Sequence, residues 1–299
     1  MPQIERILCP IDFSEFSAKA YDYAQSAAWH YKATLFLLHV IDSLTPYYPY
    51  YAFPDSYNEI CRKLRADAEQ QLQDFAKTHG WRGIRPQCYV QDGAVTDLIL
   101  SFAEARAVNL IVMGTHGLRG IDHLALGSVT EKVLRKACCP VLAVRKSAHD
   151  SATPGEGPDL IQLHRILYCT DFSEGSEQAW DHAVSLAAEY NAELTLLHVL
   201  EDLSSSSDIE NETAKALECL EKRVSPEARK SGRTKAAVRI GKAYQQIIEF
   251  ALESRTDLII MGVRGRNALD LAVFGSTTYR VVQLGPCPVL VVRNLKAPR

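Results

Sequence analysis

No apolar run in this 299-residue chain approaches the roughly 20 residues that a membrane-spanning helix needs. The sequence therefore predicts no span. An excess of charge is also missing: 33 Lys and Arg stand against 36 Asp and Glu, a net charge of −3. Without a basic surplus there is no electrostatic case for nucleic acid or an anionic membrane as the main partner. The opening stretch MPQIERILCPID lacks the order of charged, apolar and small residues that marks a signal peptide, and runs straight into a predicted strand. None of the eight cysteines forms a C-x-x-C pair, and no His/Cys cluster has zinc spacing. The expectation is small, buried thiols in a cytoplasmic, reducing setting. Cys139 and Cys287 stand before Pro140 and Pro288, which reads as packing at a strand start rather than redox chemistry.

What the chain does have is repetition. Residues 7 to 40 and 166 to 199 share 19 identities in 34 positions at an offset of 159. Residues 110 to 145 and 258 to 293 share 16 in 36 at an offset of 148. Internal duplication of this kind dictates architecture. The expected division is a first domain over 1–146, a linker over 147–163 containing the Ser-, Gly- and Pro-rich stretch SATPGEGP, and a second domain over 164–299.

Each copy alternates short, continuously apolar strands with helical patterns. In copy one the strands are Arg6 to Ile11, Thr34 to Val40, Pro86 to Val90, Leu110 to Met113 and Val141 to Arg145. The helices are one capped by Ser14 or Ser17, then Tyr57 to His79, Ala94 to Arg106 and Gly127 to Ala137. This pattern predicts an α/β fold: two tandem, doubly wound, five-stranded parallel sheets covered on both faces. The last strand of each copy is apolar on both faces yet belongs at a sheet edge, which is a liability if left uncovered. We expect Val141–Arg145 to lie antiparallel to Val289–Arg293, making an intramolecular pseudo-dimer. A homodimer of whole chains is left open.

The chemistry gathers at one glycine pattern, present twice. Gly114-x-x-Gly117, nine residues, then Gly127-Ser128 recurs as Gly262-x-x-Gly265, nine residues, then Gly275-Ser276. Each follows an apolar strand and leads into a helix, an arrangement that cradles phosphate with backbone amides and a helix N-terminus. Ligands in open α/β sheets sit at the carboxyl ends of strands, where Asp12, Asp171, Val40 and Val199 also fall. The loop lacks the lysine of a Walker P-loop and is not G-x-G-x-x-G. Arg119, Arg264 and Arg266 are candidate cations, with solvated loop charge an equal alternative. His39 and His198 read as buried, hydrogen-bonded strand residues, and His116 as an exposed loop residue. The segment 46–57, PYYPYYAFPDSY, reads as an aromatic loop packed on the other half, with an aromatic lid or partner surface as the alternative.

Both halves resemble universal stress protein domains. The resemblance rests on IDFS and TDFS, LLHV twice, GTHG…GS and GVRG…GS, and CPVLAVR and CPVLVVR. It implies an adenine-nucleotide α-hydrolase-like fold with strand order 3-2-1-4-5 and binding of ATP, or of ADP or AMP, with or without Mg²⁺. By that resemblance, Asp12, Asp171 and the main chain at Val40 and Val199 hold adenine and ribose. Gly114, Gly117, Gly127, Ser128, Gly262, Gly265, Gly275 and Ser276 hold the phosphates. Cys169 departs from copy one, which has Pro10 there. No catalytic triad, paired carboxylates or metal-ligand spacing stands out. The expectation is a nucleotide-binding regulatory protein of the stress response without efficient catalysis; a slow nucleotide hydrolase, or a scaffold with one degenerate site, is the alternative.

Overall fold

The computed structural model describes residues 4–42, 54–80, 83–117, 125–145, 161–201, 206–224, 232–263 and 275–293. The first half runs β1 (Arg6–Pro10), α1 (Glu15–Tyr31), β2 (Thr34–Asp42), α2 (Pro54–Thr78), β3 (Gln87–Gly93), α3 (Val95–Ala105), β4 (Leu110–Gly114), α4 (Ser128–Lys136) and β5 (Val141–Val144). The second runs β6 (Arg165–Cys169), α5 (Glu174–Glu189), β7 (Glu193–Leu200), α6 (Ser206–Arg223), β8 (Thr234–Ile240), α7 (Ala243–Glu253), β9 (Leu258–Gly262), α8 (Ser276–Leu284) and β10 (Val289–Val292). Among the described residues no helix is long and apolar enough to cross a membrane.

The ten strands form one sheet in the order β3-β2-β1-β4-β5-β10-β9-β6-β7-β8. Within each half every pairing is parallel and the order is the expected 3-2-1-4-5. At the centre β5 and β10 pair antiparallel, with Leu142 opposite Leu290 and Val141 opposite Val291. The edge strand of each half is thus covered by its repeat, and the apolar edge is removed from water.

Strand alternation splits the core into two layers. Ile7, Cys9, Leu110 and Val112 face one side, with Tyr21 and Ala24 of α1 and Leu72 of α2. Leu8, Ile111 and Met113 face the other, with Phe102 of α3 and Leu134 of α4. The second half repeats this division, with Tyr168 and Leu196 on the first side and Leu167 and Ile259 on the other. Strands buried on both faces need apolar residues at every position, which is why they read as continuous runs.

Local chemistry sets the element ends. Ser14 caps α1, its Oγ accepting from Ser17 N at 3.1 Å; Ser173 caps α5 in the same way at 3.3 Å. α2 begins at Pro54, three residues before the expected Tyr57, because proline is tolerated in a first turn whose N–H groups have no helical partner. Four residues of the aromatic segment therefore belong to a helix, while residues 46–53 lie outside the described residues. β3 extends to Gly93, beyond the expected Val90, because Gln91, Asp92 and Gly93 pair with Val40, Ile41 and Asp42. Leu163, assigned to the linker on composition, is buried in the core.

Candidate functional site

The carboxyl ends of β1 and β4 lie side by side where the strand order reverses, and the helices that follow pack on opposite faces of the sheet. A crevice opens at such a point. The chain leaves β1 through a tight turn in which Phe13 adopts a left-handed conformation, φ 65°, repeated at Phe172, φ 61°. For a bulky residue this costs of order 1–3 kcal/mol and persists only where its surroundings enforce it. Here the Phe13 ring packs 4.5 Å from the His39 ring, and Phe172 sits 4.4 Å from His198. His39 Nδ1 is in turn 2.8 Å from Ile11 O, and His198 Nδ1 2.7 Å from Thr170 O. Both histidines are therefore hydrogen-bonded structural partners of the β1 and β6 ends; His198 is buried as expected, whereas His39 is half-buried.

The turn aims an aspartate at the crevice. Asp12 Oδ1 accepts from Ser14 N at 3.1 Å and Ser14 Oγ at 2.6 Å. Asp171 does the same with Ser173 at 3.1 and 2.6 Å. One carboxylate oxygen of each thus anchors the start of a helix. The other oxygen of Asp12 faces the glycine loop: a Cβ on Gly117 would stand 2.5 Å from Asp12 Oδ2. The second glycine of the pattern is therefore needed for close approach of the loop to the aspartate. Gly265, Arg119, Arg264 and Arg266 lie outside the described residues.

The first glycine has a different job. A Cβ on Gly114 would meet the backbone of Phe16 at 2.9 Å, and one on Gly262 the Gly175 carbonyl oxygen at 2.4 Å. These glycines let β4 and β9 abut the first turns of α1 and α5. Both ends of each loop are pinned. In copy one, Thr115 N donates to Val144 O (2.9 Å), Gly127 N to Thr115 O (2.9 Å) and Thr130 Oγ1 to Gly114 O (2.8 Å). Copy two repeats these bonds with Val263, Gly275 and Thr278 at 3.0, 3.0 and 2.9 Å. Thr130 and Thr278 were not singled out in the sequence; their signal is the identical offset from Gly127 and Gly275.

Gly127 and Gly275 are the N-cap residues of α4 and α8, and neither helix start carries a side-chain cap. Ser128 and Ser276 occupy the first helical positions with exposed side chains. His116 differs from expectation: it is buried, not an exposed loop residue. Its ring lies 5.0 Å from Phe16 and its Nδ1 is 2.9 Å from Thr115 Oγ1. The close approach that Gly114 permits brings Phe16 over it.

Val40 and Val199 complete the rim. Ile11 N donates to Leu38 O at 2.9 Å and Thr170 N to Leu197 O at 3.0 Å. Alternation along a strand then directs the N–H and C=O of Val40 and Val199 along the same edge, past the ends of β1 and β6. In copy one the structure brings Asp12, Gly117, Gly127 and the start of α4 to one crevice, with Val40 on its rim and Gly114 beneath it.

Comparison with known proteins fits this geometry. The universal stress protein family's sequence profile matches twice, over residues 3–145 and 162–293. The chain belongs to the universal stress protein family. It is similar to a universal stress protein of Mycolicibacterium smegmatis, 27% identical over 301 residues that cover 96% of each chain. A universal stress protein of Methanocaldococcus jannaschii is 31% identical over 144 residues, covering 48% of this chain and 82% of its own. Among solved structures, a universal stress protein of Archaeoglobus fulgidus covers 97% of this chain and 99% of its own with a TM-score of 0.65 at 23% identity, a likeness of fold.

Proposed function

We propose that each half of this universal stress protein binds one adenine nucleotide, ATP foremost, and that the protein is a nucleotide-responsive regulator. The domains are taken as 1–146 and 164–299, joined by 147–163. The observation that carries the reading is the approach of Asp12 Oδ2 to Gly117, where an added Cβ would stand 2.5 Å from it, beside the side-chain-uncapped start of α4. The amides at that start and the helix dipole favour an anion, and Gly127 holds the backbone open to it. Asp12, anchored through Ser14, is placed to accept from ribose hydroxyls, and the Val40 main chain offers the paired donor and acceptor that an adenine edge requires. Asp171, Val199 and Gly275 repeat these roles in the second half, with Ser128 and Ser276 at the two helix starts and Gly114 and Gly262 packing each loop beneath its site. Among the described residues no three His, Cys, Asp or Glu cluster to hold a metal, so Mg²⁺ would enter on the nucleotide's phosphates.

Regulation is favoured over hydrolysis by what surrounds the phosphate position. Asp12 Oδ1 is engaged with Ser14, and His116 is packed against Phe16, roles that support positioning over proton abstraction. Titration calorimetry with ATP should give two sites per chain, and chromatography of the bound nucleotide should return ATP. Gly117→Val and Gly265→Val should each remove one site. Two retained sites in either variant would refute the assignment, and turnover well above background would turn the reading to an enzyme.

A further inference from the structure

At the opposite end of the sheet from the glycine loops lies a cavity of about 300 Å³. It sits on the pseudo-two-fold axis, because its walls come in repeat-related pairs: Leu142 with Leu290, Tyr31 with Tyr190, Tyr23 with His182. Its lining is predominantly apolar. The cavity opens to the surface, so a small molecule can enter it, and its apolar walls favour a hydrocarbon over water. Its volume is at the lower end of small-molecule sites.

One pair of wall residues breaks the symmetry. Cys138 and Cys139 line the cavity, whereas the residue equivalent to Cys138 in the second half is Pro286. Cys139 is buried and Cys138 half-buried. The neighbouring Cys139 side chain holds the Cys138 thiol below the ordinary thiol range, while Cys139 itself is pushed up by Cys138 and by burial. Cys138 is thus the partly exposed thiol on the cavity wall, and a lowered pKa favours the thiolate, the nucleophilic form. Cys9, Cys169 and Cys287 are buried, and burial raises each of them.

We propose that the seam cavity binds small α,β-unsaturated carbonyl compounds with a hydrocarbon tail, and that Cys138 captures them covalently. The tail fills the space between Leu142 and Leu290, and the electrophilic carbon meets Cys138 Sγ. The sulfur lone pair forms a C–S bond to the β-carbon, the C=C pair moves onto the α-carbon and carbonyl, and water returns a proton to the α-carbon. The net change is addition of S–H across the double bond, with no oxidant or reductant. This site stands apart from the nucleotide reading, at the other end of every strand.

The test treats the purified full-length protein at pH 7.4 with trans-2-nonenal and follows each cysteine by peptide mass spectrometry. Cys61 on α2 and Cys219 on α6 are exposed and serve as internal standards. Cys138 should be modified at least tenfold faster than either. Non-reactive 1-nonanol should slow Cys138 several-fold and leave the standards unchanged, and the polar reagent iodoacetamide should show a smaller preference. Ala27→Phe, which fills the cavity from α1, should slow nonenal addition similarly; if it does not fold, the nonanol competition decides. Faster labelling of Cys61 and Cys219, or no protection by nonanol, would overturn the proposal.

Discussion

Two glycines three residues apart obey different constraints. An added methyl at Gly114 runs into backbone at Phe16, which cannot swing away. One at Gly117 runs into a carboxylate, which can rotate. Gly114→Ala should therefore cost about 1–3 kcal/mol of stability, as overpacking does, measured as a shift in urea midpoint. Gly117→Ala should leave the midpoint within about 0.5 kcal/mol and weaken nucleotide binding in the first half. Equal loss of stability in the two variants would merge the roles separated here. The sequence shows both glycines as one spaced pattern. Only their neighbours across the fold separate a packing glycine from a site glycine. Phe13 and Phe172 were invisible for the same reason: nothing in the letters DFS announces a left-handed phenylalanine.

Among elements, α1 and α5 repeat one another at an offset of 159, yet they meet the seam with different chemistry. Where α1 presents Tyr23, α5 presents His182. Burial lowers the His182 pKa, with Asp181 pulling the other way. The folded value is thus below the unfolded value of about 6.5. Stability associated with the neutral ring is complete above that value and is lost as pH falls through the folded pKa. His182→Gln should therefore flatten the decline in urea midpoint between pH 7 and pH 5; an unchanged slope would place the acid sensitivity elsewhere. Element identities were legible because apolar periodicity is a local signal. The ends were less so: Gln91-Asp92-Gly93 resembles a turn, and becomes strand only because β2 runs alongside it.

Over the whole molecule the decisive feature is the seam. β5 and β10 turn two five-stranded sheets into a single ten-stranded one, and Leu290 is 6% exposed at its centre. Leu290→Ala should cost about 2–5 kcal/mol, the range for deleting a buried leucine side chain, read from chemical denaturation. A cost below 1 kcal/mol would show that the halves are held together elsewhere. The seam also creates the cavity with the Cys138-Cys139 pair, a site neither half could form alone.

The sequence by itself determined the duplication, the alternation of strand and helix that makes the sheet of each half parallel, and the residue types at the crevice. All of these follow from local periodicity and from spacing that survives in two copies of one chain. The tertiary structure decided which glycine packs and which faces the aspartate, that His116 is buried beneath Phe16, and that a thiol-lined apolar space lies on the pseudo-two-fold. Those outcomes depend on distances between residues tens to more than a hundred positions apart. No periodicity encodes such distances; close packing sets them when two helices and two edge strands meet.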